Sequence, residues 1–132
     1  MKIVENTLPD LTQLLELYCS VGWLSYSDGE EFVKEILLNT DEFICIYAGD
    51  TLVAFGRMIT DYKMSAFLDD IVVHPGFRNM GLGSTLVNHL ISKVPKVKKI
   101  KLTTFNAWEF YKKLGFSKPS CVPMELVMNS PH

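Results

Sequence analysis

IVVHPGFRNMGLGSTLVNHL, residues 71–90, runs from an apolar strand through a glycine-bearing turn into a helix. Its strand begins upstream: Phe67-Leu68-Asp69-Asp70-Ile71-Val72-Val73 ends apolar and β-branched, and Pro75 with Gly76 stops it. Downstream, Leu82, Leu86, Leu90 and Val94 recur four residues apart with Val87 and Ile91 beside them, which is the buried face of an amphipathic helix. Between the two lies Arg78-Asn79-Met80-Gly81-Leu82-Gly83, an RxxGxG sequence. A helix start has N–H groups without intrahelical partners and the positive end of the helix dipole, so a diphosphate can accept several backbone hydrogen bonds there. Glycines at 81 and 83 remove side chains that would hold phosphates off the backbone, and Arg78 adds a permanent charge and a donor fork. Taken alone, the six residues also fit an ordinary strand-turn-helix connection whose glycines serve the turn.

Length and composition set the frame around this stretch. At 132 residues the chain has room for one domain with a sizeable core, and 48% apolar against 21% charged residues argues for a globular protein rather than a disordered one. The formal net charge of −2 gives no broad footprint for nucleic acid, and Lys93, Lys96, Lys98, Lys99 and Lys101 read as a solvated helix end and strand face. No apolar run has the length of a membrane span, and the N-terminus shows no basic-then-apolar leader, so no membrane association and a cytoplasmic location are expected. Cys19, Cys45 and Cys121 are scattered without CxxC spacing, which predicts neither a disulfide framework nor a metal site.

Taken in order, residues 2–5 read as a short strand and Thr7-Leu8-Pro9-Asp10 as a cap with Thr7 at N-cap. Leu11, Leu14, Leu15 and Tyr18 then share one helical face, and Gly22 ends that helix. Ser27-Asp28-Gly29-Glu30 caps a second helix with Phe32, Val33, Ile36 and Leu37 on its buried side. Residues 43–48 and 52–59 form a hairpin across Gly49-Asp50, and Gly56 marks a bulge or close packing. Beyond the central strand and helix come a strand at 98–104, a short helix at 107–114 closed by Gly115, and a last strand at 122–128 with Pro123 near its start. The order is β-α-α-β-β-β-α-β-α-β, a mixed α/β (α+β) architecture of helices on a mostly antiparallel sheet.

The 71–90 stretch resembles motif A of the GNAT family of acyl-CoA-dependent N-acetyltransferases, an LxVxP strand followed by RxxGxG and a helix. Ile71, Val73 and Pro75 occupy the strand positions, with Ile in place of Leu. Residues 107–116, AWEFYKKLGF, are similar to the family's AxxxYxxxGF signature, and the two motifs stand in the expected order. The resemblance implies a GNAT-like fold in which the strand ending at Val73 and the one ending near Thr104 splay apart to admit the pantetheine arm. It implies acetyl-CoA as co-substrate, with no metal, and a primary amine of a small molecule as acceptor. A protein or peptide acceptor, or an acyl-CoA-binding module without turnover, are the alternatives.

The same resemblance distributes roles. The Ile71 N–H would face the thioester oxygen, and the Ile71-Val72-Val73 line would run beside the pantetheine, with Val73 pairing its amides. Arg78, Asn79, Met80, Gly81, Leu82, Gly83 and Ser84 would cradle the diphosphate, with Thr85 adding a hydroxyl. Tyr111 would protonate the departing thiolate, a reasonable task for a phenol near pKa 10. The family's Asn seven residues before that tyrosine is Thr104 here, with Asn106 two residues on, and either could contact the coenzyme.

On the acceptor side, Asp70 is preferred over Asp69 as general base. Small members of this look carry an acid at the Asp70 position, and adjacent strand residues point to opposite faces. A structural carboxylate is the competing reading, and His74 reads as a loop residue. No cysteine sits beside a histidine in either motif, so a covalent acetyl-cysteine route has no support. Trp23 and Tyr26, in the connection between the first two helices, read either as a plug at the core edge or, by resemblance to small members with a similar GW turn, as the acceptor pocket. Many members pair through edge strands, and residues 122–128 are eligible for this, so a homodimer is an open option.

Overall fold

The computed structural model describes residues 1–129. Two compact units divide the chain, Met1–Leu102 and Thr103–His132.

The first unit is built on a five-stranded sheet in the order β1 (Lys2–Glu5), β2 (Glu42–Ala48), β3 (Thr51–Thr60), β4 (Ser65–Val73), β5 (Lys99–Lys101). β1 to β4 run antiparallel and β5 joins β4 in parallel. β2 and β3 are buried along most of their length and read as near-continuous apolar runs, because helices cover both faces. On one face, Leu14, Leu15, Leu17 and Tyr18 of α1 (Leu11–Ser20) and Val33 and Leu37 of α2 (Glu30–Leu38) pack on Phe43, Cys45, Phe55 and Val72. On the other, α3 (Leu82–Ile91) buries Leu86, Val87 and Leu90. Gly56, one residue after Phe55 and so on the opposite face, is the point of closest approach: a β-carbon there would lie 2.8 Å from Ile71 Cδ1 and 3.2 Å from Leu90 Cδ1.

Several local expectations change. Asp10, not Thr7, is the N-cap of α1: its carboxylate accepts from the Thr12 and Gln13 N–H groups, while the Thr7 hydroxyl turns back to the Glu5 carbonyl. The cap pattern at 27–30 sits two residues earlier, on Ser25 and Asp28, around a 3-10 turn at Tyr26–Asp28, and Gly29 opens α2 with φ +84°. Phe32 lies on the solvent side of α2, at 45% exposure, since the narrow contact with α1 needs only the Val33 and Leu37 stripe.

The second unit contains α4 (Trp108–Lys113). The expected strand at 122–128 does not form: its residues join no ladder, and Val122, Met124, Leu126 and Met128 are all more than three-quarters exposed. Apolar alternation makes a segment competent for a sheet, but backbone pairing with a neighbour makes it a strand, and the pattern alone does not encode that neighbour. β5 is likewise shorter than expected and stops at Lys101 rather than Thr104.

Candidate functional site

The parallel contact between β4 and β5 is confined to Ser65, Ala66 and Phe67 against Lys99, Ile100 and Lys101. From Leu68 to Val73, β4 has β3 on one side and no described strand on the other. The His74 N–H donates to the Val53 carbonyl at 2.8 Å, so the alternation of an antiparallel ladder directs Val72 toward β3 and turns the N–H and C=O of Val73 and Ile71 to the free side. Ile71 and Val73 therefore present backbone donors and acceptors along an open edge. Val72 does not: its backbone faces β3 and its side chain is in the core.

Past β4 the chain makes a 3-10 turn, Pro75–Phe77, capped by His74, whose Nδ1 accepts from the Gly76 N–H at 3.0 Å. Asn79 and Gly81 take positive φ, +63° and +78°, and Gly81 is the N-cap of α3. The first helical bond runs from Thr85 N–H to the Gly81 carbonyl at 3.1 Å, so Leu82, Gly83 and Ser84 direct N–H groups out of the helix start. Arg78, Asn79, Met80 and Gly81 are exposed around it, whereas the Leu82 side chain is buried and Leu82 offers only its backbone. Thr85 turns its hydroxyl to the Gly81 carbonyl at 3.0 Å and reinforces the turn. A β-carbon on Gly81 would meet nothing within 4 Å, so handedness rather than crowding calls for glycine there.

The expectation that Asp69 and Asp70 point to opposite faces fails because the β3–β4 register slips. Gly56 opposes Ile71 and Met58 opposes Leu68, so Arg57 alone faces both aspartates across a bulge. Arg57 Nη2 reaches Asp69 Oδ2 and Arg57 Nε reaches Asp70 Oδ2, each at 2.6 Å. The Tyr18 hydroxyl, from α1, donates to the same Asp70 oxygen at 2.6 Å, and Arg57 Nη1 to the Thr40 hydroxyl at 3.4 Å. Burial, then the adjacent Asp70 charge, raise the Asp69 pKa against the pull of Arg57. Burial, then the Asp70 charge and hydrogen bond, hold the Tyr18 phenol far above its usual range, so it stays a neutral donor. Neither Arg57 nor Tyr18 stands out as functional in the sequence. The available signal is the arginine itself, a charge in the middle of the apolar strand TLVAFGRMIT.

In the connection after α1, Trp23 is 45% exposed and packs its ring on Tyr18, with centroids 6.2 Å apart. Tyr26 lines a cleft of about 370 Å³ with Gln13, Glu16, Ser20, Thr51 and His74 among its other walls. The two aromatics thus divide: one edges the core beside Tyr18, the other lines a cleft of mixed polar and apolar walls that Trp23 does not.

In the second unit, the Thr104 hydroxyl accepts from the Ala107 N–H at 3.0 Å in the turn before α4, while Asn106 is exposed. Tyr111 lies between the edges of Phe110 and Phe116, centroids 4.9 and 5.7 Å away, and Gly115, at φ +100°, lets the Phe116 N–H return to the Tyr111 carbonyl. Burial raises the Tyr111 pKa, so the phenol keeps its proton at neutral pH.

A sequence profile of the acetyltransferase (GNAT) family matches residues 8–116. An uncharacterized N-acetyltransferase of the red alga Pyropia yezoensis, ycf52, is 34% identical over 116 residues, covering 83% of this chain; the match spans 66% of that relative's length, just under two thirds. Among solved structures, a GNAT-family acetyltransferase of Streptococcus pneumoniae superposes with a TM-score of 0.83 at 24% identity, covering 98% of both chains. PaiA N-acetyltransferase of Thermoplasma acidophilum, in complex with coenzyme A, superposes with a TM-score of 0.70 at 19% identity, covering 92% of this chain and 94% of its own.

Proposed function

Because the chain belongs to the acetyltransferase (GNAT) family, we propose that it transfers an acetyl group from acetyl-CoA directly to the primary amine of a small molecule. The observation that carries this reading is the free edge of β4 followed, past the short Pro75–Phe77 turn, by the left-handed Gly81 and the start of α3. A ladder-competent backbone edge suits the amides of a pantetheine arm, and outward N–H groups at a helix start suit a diphosphate.

On this reading the N–H groups of Leu82, Gly83 and Ser84, with Arg78, Asn79, Met80 and Gly81 around them, hold the diphosphate. Val73 pairs with the pantetheine, and the Ile71 N–H stabilises the oxyanion as the amine adds to the thioester carbonyl. The C–S bond then breaks and the sulfur takes the Tyr111 phenol proton, while the second proton that the attacking nitrogen must shed to become the amide passes to solvent, from which the phenolate regains one. Tyr111 enters the step protonated, as a phenol is at neutral pH and as its burial reinforces. The ammonium form of the acceptor must first lose a proton, and the Asp69-Asp70 pair supplies the carboxylate. Asn106 is the better coenzyme contact, since the Thr104 hydroxyl oxygen already accepts from the Ala107 N–H. The cleft that Tyr26 and Glu16 line offers an acceptor an aromatic face and a carboxylate, a combination suited to a small cation. Trp23 bounds the acceptor side from the core edge.

Incubation of the protein with acetyl-CoA and a panel of small primary amines, following free thiol, tests the proposal. Amine-dependent thiol release is expected. Thiol release that no amine stimulates, together with no calorimetric affinity for coenzyme A, rejects it.

A further inference from the structure

His74, at the end of β4, has a side chain that is exposed and yet held on two sides. Its Nδ1 accepts from the Gly76 N–H at 3.0 Å, and its ring meets Phe77 edge-on, with centroids 5.8 Å apart and planes at 77°. A backbone N–H can only donate, so Nδ1 turns its lone pair to Gly76 and the hydrogen of the neutral imidazole is on Nε2. The ring is therefore ill suited to act as a base, because it could take a proton only at Nδ1, which breaks the Gly76 bond. It is a hydrogen-bond donor with a settled direction, and it lines the cleft of about 370 Å³ that the acetyltransfer reading gives to the acceptor.

The other polar walls of that cleft are engaged elsewhere or free to rotate. Gln13 uses both ends of its amide, Oε1 accepting from the Leu52 N–H at 2.8 Å and Nε2 donating to the Asp50 carbonyl at 3.1 Å. The Ser20 hydroxyl donates to the Leu17 carbonyl at 2.6 Å. The Tyr26 and Thr51 hydroxyls rotate between donor and acceptor and so discriminate little. Among the described walls Glu16 alone carries a formal charge, and a carboxylate only accepts. A carboxylate or phosphate on the acceptor would suit the His74 N–H and be repelled by Glu16. An ammonium would suit Glu16 and present no lone pair to the N–H. A hydroxyl accepts from the one and donates to the other.

We propose that His74 is a specificity-determining residue whose Nε2–H binds a hydroxyl oxygen of the acceptor, which makes an amino alcohol the preferred acceptor over a plain alkylamine. The proposal rests on the acetyltransfer reading above. On that reading the thioester oxygen faces Ile71, three residues before His74 and about 10 Å away at strand spacing. Hydroxyl and reacting nitrogen are thus the two ends of an extended chain, the hydroxyl at the end of β4 and the nitrogen back along its free edge.

The test compares linear aminoalkanols of increasing length with alkylamines of the same length, reading kcat and KM from acetyl-CoA-dependent thiol release, and reads the His74 tautomer of the wild-type protein by nitrogen NMR. The wild type is expected to favour the longer aminoalkanols roughly tenfold in kcat/KM, through KM, and to show the ring hydrogen on Nε2. Two variants then separate the ring nitrogens. In His74→Asn the side-chain carbonyl can replace Nδ1 under the Gly76 N–H but offers no donor at the Nε2 position, so the preference disappears. In His74→Gln the amide N–H reaches the Nε2 position, so the preference survives although the turn loses its cap. A residue that only caps the turn gives the reverse pattern. Equal kcat/KM for the two series in the wild type, a hydrogen on Nδ1, a preference that His74→Asn keeps, or one that both variants lose overturns the assignment and leaves acetyl transfer standing. Should circular dichroism show either variant unfolded, the wild-type preference and tautomer decide. A wild-type protein that binds no coenzyme A and acetylates no amine overturns both.

Discussion

Replacing Gly81 with alanine separates two things a glycine at a helix start can do. Its φ of +78° is left-handed, and a β-carbon there meets no atom within 4 Å, so the folded protein bears backbone strain and no clash. For an L-residue that strain is about 1–2 kcal/mol, which for a chain of this length lowers Tm by about 4–7 °C. Gly49, in the β2–β3 turn at φ +60° and with equally open surroundings, makes the control, and Gly49→Ala should bring a similar thermal loss. The two variants part on ligand binding. At Gly81 the methyl group projects beside the N–H groups assigned to the diphosphate. Loss of one such bond at about 1.5–3 kcal/mol weakens coenzyme A roughly 10- to 150-fold, whereas Gly49→Ala binds as wild type. Scanning calorimetry and isothermal titration at one temperature measure both quantities. Equal coenzyme A affinity in the two variants would refute the phosphate-turn reasoning, and a Tm loss at one site alone would refute the strain reasoning.

Tyr111→Phe is expected to lower kcat about a hundredfold with coenzyme A affinity intact; undiminished turnover would remove Tyr111 from the chemistry. Asp61 Oδ1 accepts the N–H groups of Lys63, Met64 and Ser65 at 2.9, 2.8 and 3.1 Å, and these bonds hold its pKa below the usual carboxylate value. A depressed folded pKa gives stability that is complete above the unfolded value, about 4, and is lost as pH falls through the folded one. The protection factors of those three amides, corrected for intrinsic exchange, should fall in that acid window, and Asp61→Asn should make their protection nearly independent of pH; unchanged pH sensitivity in the variant would contradict the assignment. Burial pushes the Cys45 thiol up to about 12, while Cys121 is exposed. Iodoacetamide at pH 8 should therefore modify Cys121 within minutes and Cys45 only after denaturation, as peptide mass mapping would show.

The legible parts of this protein were those that repeat locally. Apolar spacing placed the helices and the β2–β3 hairpin, and the motif from Ile71 to Ser84 placed a strand, a turn and a helix start where they stand. Gly56 in the middle of a strand signals a bulge or close packing, and it borders both. The parts that were not legible depend on partners distant in the chain. Whether Asp69 and Asp70 diverge or converge is set by how β4 slips against β3, fourteen residues earlier at Gly56, and no residue of β4 records that slip. The Tyr18 hydroxyl looked like part of an apolar helix face because only its ring is apolar, and its oxygen serves Asp70 across 52 residues of sequence. Residues 122–128 carried the alternation of a strand without the neighbour that would make them one.

The phosphate turn has one further property that storage would reveal. Met80 sits inside it at 57% exposure, while Met58 in β3 is 0% exposed. A thioether open to water is converted to the polar sulfoxide by dissolved peroxide, and a thioether sealed in a core is spared. Ageing of a purified sample should thus strike the very turn proposed to hold the coenzyme while the sheet stays intact. Methionine sulfoxide reductase and a reducing buffer are then the handling conditions under which its binding constants mean what they say.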